Sequence, residues 1–424
     1  MSGFSFPDRT LYSGLNELAT GGCVLFTLGS PPAISRHHIY RPWRIQSASE
    51  DELLGSLRDV TRTRFERMIA GLEDRPVVVP LSAGLDSRLI VSGLSEFGYR
   101  NVLVFAYGLP GNFEAVASQK IAAHLDYPWR FVPLTASRQR SSFQSDGFRN
   151  YMRYAESYSS VPFQQEYLAF RMLVESGQIP DGSVIINGQS GDYITGNHIP
   201  PVLALGPAAG PHQAVLSALI DKHYSLWRCL KTTERICRLS SLLLGDMRAI
   251  EAPIDDPDLA WAAFEASEYQ NRQAKYVVNG QRLYESLGFD WRLPLWDRAF
   301  VNFWERVPVE QKISQRLYKK MLMAENWGGI WQGWEFPQTV SPAWLRPLRL
   351  AAKAAHVPFG RESWHRFEKN WFEYWTDVVG NYAIAPYATV RSDRRGHRNA
   401  ISWHVEAYLS SIGLQFDGEP IAAD

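Results

Sequence analysis

Two short stretches hold residues whose types and spacing suit the handling of a polyphosphate. The first is Ser82-Ala83-Gly84-Leu85-Asp86-Ser87, directly after the apolar run Val77-Val78-Val79-Pro80-Leu81. A strand that ends in a loop of small residues and opens a helix is a place to hold phosphate. Such a loop exposes backbone N–H groups, the helix N-terminus presents its positive dipole end, and Ser82 and Ser87 add hydroxyl donors. Gly84 lets the backbone approach an anion closely, because no Cβ stands in the way. Asp86 cannot bind phosphate directly, but a carboxylate beside polyphosphate makes sense when Mg²⁺ lies between them. The second stretch, Asn187-Gly188-Gln189-Ser190-Gly191-Asp192, again runs through glycines and polar residues to an acid. Two acids at the ends of two strands, Asp86 and Asp192, are what a pyrophosphate-bridging Mg²⁺ requires. That ion prefers a few carboxylates together with phosphate oxygens and water.

The elements that must position these loops follow from the hydrophobic pattern. Val77–Leu81 is continuously apolar and mostly β-branched, the signature of a strand buried on both faces, and helical spacing follows from Asp86 to Leu94. Asn101–Tyr107 is a second buried strand, a helix is expected over Phe113–Leu125, and a third strand over Trp129–Leu134. Residues 136–182 read as helical and lead to a fourth strand, Ser183–Ile186. This alternation predicts an α/β fold: a parallel sheet with helices on both faces and ligands at the carboxyl ends of its strands. Tyr107, Gly108 and Glu114 then share the rim of the Ser82–Ser87 loop. Upstream, Ser47–Leu72 is an amphipathic helix with acids in its first turn, and Cys23–Leu28 with His38–Trp43 predict a hairpin. Downstream, 202–260 carries little pattern, and Trp261–Gly288 reads as one long helix. The tail beyond Ser341 is helical and Trp-rich, and its basic run Arg391–Arg398 reads as a solvated face.

The first loop resembles the Ser-Gly-Gly-x-Asp-Ser signature of the PP-loop ATP pyrophosphatases, with Ala83 in place of one glycine. Those enzymes cleave ATP between the α- and β-phosphates and activate a substrate as its adenylate. The second loop resembles the Gly-x-Gly-x-Asp-Glu-x-x-Gly motif of asparagine synthetases. Gly188, Asp192 and Gly196 fall on the motif, Ser190 replaces its middle glycine, and Tyr193 replaces its Glu. Asp290-Trp291-Arg292-Leu293-Pro294-Leu295-Trp296-Asp297 resembles the family's Glu-x-Arg-x-Pro-Phe-Leu-Asp, and Pro308 with Lys312 resembles its Leu-Pro-x-x-x-Lys. Residues 1–46 resemble the last hairpin of the glutaminase domain that precedes the synthetase domain. Ser2 stands where the glutaminase cysteine would be, and forty residues are too few for such a domain, so glutamine hydrolysis is not expected. The resemblance divides the chain into a remnant hairpin at 1–46, a PP-loop (adenine nucleotide alpha hydrolase-like) domain at 47–340 and a helical extension at 341–424.

The resemblance implies an ATP-dependent, adenylate-forming amidoligase that joins a carboxylate to ammonia or an amine. It implies that Asp86 and Asp192 hold Mg²⁺, and that Leu81, Ser82, Ala83, Gly84 and Ser87 cradle the pyrophosphate. Tyr107 and Gly108 hold the adenine, and Gly188, Gln189 and Ser190 form the second wall. Gln189 stands where synthetases carry Glu and β-lactam synthetases Tyr, and Gln cannot act as a base. The family lysine that follows Leu-Pro-x-x-x-Lys has no counterpart in Trp327–Pro337. Lys319 and Lys320 are therefore expected to supply the cation for departing pyrophosphate, and Arg292 to position an acidic group. Two other readings stand beside this one: a nucleotide-binding homologue without synthetase activity, and a peptide macrolactam cyclase-like enzyme. A separate protein that supplies the amine is a further expectation.

Composition bounds these readings. The 424 residues carry 44 Lys+Arg and 44 Asp+Glu, and a balanced charge argues against nucleic acid as the main partner, which needs a basic face. That balance and the unpaired cysteines also disfavour a tRNA-modifying enzyme on the same loop. No apolar run approaches the roughly 20 residues of a membrane span, and no basic–apolar leader opens the chain. Cys23, Cys229 and Cys237 are scattered and odd in number, which fits neither a disulfide framework nor a zinc site and points to a reducing cytoplasm.

Overall fold

Five parallel strands form the sheet on which both loops sit. The structure is a computed structural model and describes residues 1–206 and 210–419. The last residues of the expected 341–424 extension and three of the weakly patterned 202–260 stretch lie outside the described residues. After a two-stranded ribbon of β1 (Gly22–Leu25) and β2 (Ala33–Arg36), the sheet is built from five strands. These are β3 (Val77–Pro80), β4 (Val102–Gly108), β5 (Trp129–Pro133), β6 (Val184–Ile186) and β7 (Asp290–Arg292). Their order across the sheet is β5-β4-β3-β6-β7. The central strand β3 pairs with β4 from Val77–Val102 to Pro80–Phe105, and with β6 at Val77–Val184 and Val78–Ile185. Val77, Val78 and Val79 are fully buried, as expected for a strand covered on both faces. The chain winds outward from β3 through β4 to β5, then returns to place β6 on its other side. The crevice between the carboxyl ends of β3 and β6 is therefore the point where strand order reverses, and such switch points are where open α/β sheets bind ligands.

The helices follow the sequence expectations closely next to the sheet. The helix Glu50–Ala70 begins with a capping box in which the Ser49 hydroxyl and the Glu52 side chain satisfy each other's backbone N–H. It presses Phe65 against the helix Leu85–Glu96 at Gly93, where an added Cβ would stand 2.2–2.6 Å from three ring carbons. That contact fixes the helix whose N-terminus carries the first loop.

Three expectations are corrected. The second strand of the N-terminal ribbon is Ala33–Arg36, not His38–Trp43, because the Pro31-Pro32 turn reverses the chain earlier than the apolar pattern suggests. Asp290–Arg292 is a fifth strand, too short and too charged to show a strand pattern. The run Trp261–Gly288 is not one regular helix. An α-helix over Ala260–Glu268 widens into π-helical turns over Tyr269–Val277 and tightens again over Val278–Gln281.

The C-terminal helices pack back on the sheet layer. Leu109 N–H donates to the Val378 carbonyl at 2.7 Å, so the extension covers the turn after β4. In the helix Ala400–Ser411, His404 is buried against Phe143 and its Nε2 lies 2.9 Å from the Asn381 carbonyl. Burial pushes the His404 imidazolium down to about 4, and burial, then the charge of Lys369, lowers His397 to about 4 as well. Both groups bind their proton more weakly folded than unfolded. Their contribution to stability is thus full above the unfolded value near 6.5 and is lost as pH falls toward 4. Asp86 and Asp246, whose carboxyls burial raises, act in the opposite direction over this range, so the histidine contribution is read by difference, from urea titrations of a variant against wild type. His404→Gln, which keeps a donor for the Asn381 carbonyl, should remove about 2–3 kcal/mol of that loss.

Candidate functional site

The loop after β3 is held in shape by its own hydroxyls. The Ser82 N–H donates to Ser87 Oγ at 3.1 Å, the two hydroxyl oxygens lie 3.1 Å apart, and the Gly84 N–H donates to Ser82 Oγ at 3.1 Å. The helix starts at Leu85 with Gly84 as its N-cap and Asp86 in its first turn. Gly84 has ordinary extended dihedrals, and a Cβ there would meet only Ser82 Oγ at 3.2 Å. This glycine leaves room; it does not relieve strain.

The loop after β6 is pressed onto the first. Asn187 donates to Tyr284 Oη at 3.0 Å and accepts from the Gln189 N–H at 2.9 Å, which turns the chain over the sheet edge. A Cβ on Gly188 would sit 2.7 Å from the Asp86 carbonyl carbon and the Ser87 nitrogen. One on Gly191 would sit 2.5 Å from Asp86 Cγ and 2.6 Å from its Oδ1. Two glycines of one loop thus admit the backbone and the carboxylate of the other. Ser190 takes the left-handed conformation with φ 70°, where the family motif has glycine, and its hydroxyl donates to Gln273 at 3.3 Å. At Gly196 a Cβ would stand 2.4 Å from the Lys312 carbonyl oxygen, so the end of this loop also has to be glycine.

Asp86 and Asp192 line one cavity of ≈ 610 Å³ at the crevice between β3 and β6. Asp86 accepts hydrogen bonds from Tyr318 Oη at 3.1 Å and from the Asp192 backbone N–H. Burial, and then the charge of Asp192, pushes the Asp86 carboxyl far above the usual range, to about 8. Burial would raise Asp192 too, but the bond to His198 and its charge, the Tyr193 N–H and Arg272 together hold it low. His198 bridges two acids, with Nε2 3.0 Å from Asp192 Oδ2 and Nδ1 2.5 Å from Glu268 Oε1. Burial disfavours its charge, but those two carboxylates outweigh it and raise the imidazole to about 9. His198 therefore carries a proton at neutral pH and donates from both nitrogens.

Most of the residues singled out in the sequence meet here. Leu81, Ser82, Gly84, Asp86, Ser87, Tyr107, Gly188, Gln189, Ser190 and Asp192 all line the cavity, as does Glu114. Five do not. Ala83 does not face it, and Gly108 packs on the extension, where a Cβ would come 2.7 Å from the Val378 carbonyl oxygen. Arg292 ends the edge strand β7 and turns its guanidinium onto the Trp291 carbonyl at 2.8 Å. Lys319 donates to the Ser314 carbonyl at 2.8 Å, and Lys320 pairs with Glu50 at 2.5 Å, both on the outer face of the helix Arg316–Glu325. That helix turns Leu317, Tyr318 and Met321 inward, and the two adjacent lysines fall on its solvent side.

The cations of the site are His198 and Arg272, and neither carries a signal in the sequence. Arg272 lies in the π-helical turns, with Nη1 3.5 Å from Glu268 Oε1, and together with Gln273 it lines the cavity. The widened turns alter which residues face the sheet, and π-helical turns recur at functional sites. A reading based on regular helical period cannot anticipate this change of phase. His198 follows the second loop in a Gly-Asn-His-Ile-Pro stretch with no chemical pattern of its own.

The match to protein families agrees with this geometry. The family model for asparagine synthase covers residues 61–324, from the helix before β3 to the helix bearing Tyr318. The chain belongs to the asparagine synthase family. That family is one of ATP-using ligases that form carbon–nitrogen bonds, and the chain's parallel sheet flanked by helices fits a PP-loop fold with a helical extension. A comparison with curated proteins gives no match. No helix among the described residues is long and apolar enough to cross a membrane.

Proposed function

We propose that the chain is an adenylate-forming amidoligase: a carboxylate attacks the α-phosphorus of ATP, pyrophosphate leaves, and ammonia or an amine resolves the acyl-adenylate. The observation that carries this reading is the meeting of Asp86 and Asp192 at one crevice, each at the end of a different parallel strand and pressed together across Gly191. Asp192 has His198 as its positive partner, whereas Asp86, forced toward its protonated form by burial and by the charge of Asp192, is met by neutral donors, the Tyr318 hydroxyl and the Asp192 N–H. A divalent cation relieves that repulsion. Among the described residues no group of three or more His, Cys, Asp or Glu stands ready to cage a metal ion. A pair of carboxylates suits Mg²⁺, which takes its remaining ligands from phosphate and water. When bound, the ion neutralises charge on the departing pyrophosphate.

The protein's own groups do the positioning. Ser82, Ser87 and the N–H groups of the first turn receive phosphate oxygens, with Leu81 and Gly84 shaping the approach. Tyr107 forms part of the wall against which the adenine rests, and a cavity of ≈ 610 Å³ lies within the range of about 300–1,000 Å³ usual for ligand sites. Gln189 accepts from Gln281 Nε2 at 2.6 Å and offers no base, so the amine attacks in its free form. Arg272, not Lys319 or Lys320, supplies the fixed positive charge beside the phosphates.

The test is carboxylate-dependent exchange of pyrophosphate into ATP over a panel of acids in Mg²⁺. Exchange with at least one acid is expected, abolished by Asp86→Asn and Asp192→Asn. Arg272→Gln should lower exchange by roughly 10²-fold while ATP still binds. The second reading, a nucleotide-binding homologue, draws on one observation: among the described residues no lysine lines the cavity. Mg²⁺-dependent ATP binding without exchange for any acid would put that reading first.

A further inference from the structure

A helix on the surface of a globular protein turns its apolar stripe inward and its charged residues to water. The helix Leu345–His356 does the reverse. Its inward residues are Leu345, Arg349, Ala352 and His356, which fall on one helical stripe and are buried or half-buried. They meet the next helix, Gly360–Trp371. Arg349 Nε donates to Glu368 at 2.6 Å and its guanidinium lies over the Trp364 ring, while the His356 ring lies 4.4 Å from that of Phe367. The outward residues are apolar. Leu348 and Leu350 are 55% and 69% exposed, and Pro347, Ala351, Ala354 and Ala355 stand in the open around them. Trp344, just before the helix, and Val357 and Phe359, just after it, are 62%, 74% and 73% exposed. Apolar residues scattered singly over a surface are ordinary, but a contiguous patch marks a face that something else covers.

Charge says what covers it. From Phe336 to Arg361 the chain has no Asp or Glu, but it has Arg346, Arg349, Lys353 and Arg361. Arg346 donates to the Val340 carbonyl at 2.6 Å and Arg361 to His365 at 3.1 Å, contacts that leave both charges in place, and Lys353 stands in the open. Arg346 and Lys353 lie two turns apart and line one edge of the apolar face. Such a face fits a bilayer with anionic headgroups: the apolar side chains enter the acyl boundary, and the long basic ones reach back to the phosphates. A second copy of the chain fits worse, because it would bring this acid-free segment against itself and set cation beside cation. A nucleic acid needs its cations across the face rather than at one edge. The helix has 12 residues and is about 18 Å long, well short of the roughly 30 Å of hydrocarbon in a bilayer. It therefore lies in the surface and does not cross. The segment falls outside the 61–324 stretch that matches the family, so the docking face belongs to this chain's extension.

We propose that the helix Leu345–His356 docks the protein on an anionic lipid surface. Trp344, Leu348, Leu350 and Phe359 enter the acyl boundary, and Arg346 and Lys353 hold headgroup phosphates. None of these residues lines the nucleotide cavity, so the docking is measurable without turnover and stands apart from the amidoligase reading.

Co-sedimentation of the full chain with lipid vesicles provides the test. Vesicles of phosphatidylcholine alone are compared with vesicles that contain a quarter phosphatidylglycerol. The expected result is binding to the anionic vesicles that weakens with added salt. Lys353→Gln should weaken it about fivefold, the worth of one basic group at an anionic surface. Leu348→Ser with Leu350→Ser should weaken it roughly tenfold or more, and because both side chains are exposed, thermal melts should not move. Insertion is read separately, through an environment-sensitive dye on a single thiol. Cys23, Cys229 and Cys237 are exposed, so Ala355→Cys carries the dye on the apolar face once Cys23→Ser, Cys229→Ser and Cys237→Ser are made. Native Cys237, on the helix Thr233–Ala249, carries it as the control. Anionic vesicles should shift the dye to the blue at the first position and not at the second. No binding, equal binding to both kinds of vesicle, binding that survives the two serines, or a dye on Ala355→Cys that stays in water would overturn the proposal. A dimer in light scattering that the two serines abolish, with no vesicle binding, would overturn it in favour of a second copy.

Discussion

Lys312→Met is expected to cost about 3–5 kcal/mol of unfolding free energy, because it strands a buried charge. Lys312 is fully buried, pairs with Glu265, and donates to Tyr40 Oη at 3.1 Å and to the Trp304 carbonyl at 3.3 Å. Glu265 is equally buried and accepts from Tyr40 Oη at 3.0 Å. Removing the lysine leaves Glu265 with a tyrosine hydroxyl as its side-chain partner. Replacing both, as Lys312→Met with Glu265→Leu, should recover most of the loss, since a buried pair is worth little against well-packed apolar groups. Urea titrations of the two singles and the double measure this directly. A single substitution that costs under 1 kcal/mol would show that the pair is not desolvated as the structure has it. The cluster also reaches the site. Tyr193 Oη donates to the Glu265 carbonyl at 2.6 Å, and the Lys312 backbone lies against Gly196, so the far end of the second loop rests on it. Lys312 keeps its place in the family pattern as an anchor for that loop.

The parts of the fold that were legible in the sequence are those whose signal is local. Val77–Val79 is buried on both faces and reads so, and the turns after β3 and β6 announce themselves through small residues beside an acid. What stayed hidden depends on contacts distant in the chain. The edge strand β7 is made by its pairing with β6, and Asp290 and Arg292 give it no apolar pattern. Lys319 and Lys320 have the charge that the chemistry asks for, but only the rotation of their helix decides that Tyr318 and not a lysine meets Asp86. Arg272 becomes a site residue because the helix around it widens, and His198 because Asp192 and Glu268 flank it across 70 residues of chain. Tyr193 stands where the motif has Glu. It is a core residue whose hydroxyl ties the loop to the helix Ala260–Glu268, so its chemistry is structural.

Gly191→Val should abolish pyrophosphate exchange, with a loss of at least 10²-fold, while the protein stays folded. Gly191 occupies an unassigned position of the family motif, and its backbone is helical, so conformational freedom is not what the site needs from it. Space is what it needs. A Cβ there would stand 2.5 Å from Asp86 Cγ, 2.6 Å from Asp86 Oδ1 and 2.5 Å from Leu295 Cδ1. Leu295 is packed in the core and cannot give way, so the side chain that moves is Asp86. Its carboxylate would leave both the Asp192 N–H and Tyr318 Oη, and a displacement near 1 Å at a reacting centre costs about 10²-fold. Overpacking of this kind costs about 1–3 kcal/mol of stability, which melts of the variant would register as a modest shift. Gly245→Ala is the control, because a Cβ there, in the helix Thr233–Ala249 and away from the cavity, meets nothing within 4 Å. It should keep exchange within a few-fold of wild type. If Gly191→Val keeps its exchange as Gly245→Ala does, then the approach of the two loops does not hold the metal-binding carboxylates, and the role given to Asp86 fails with it.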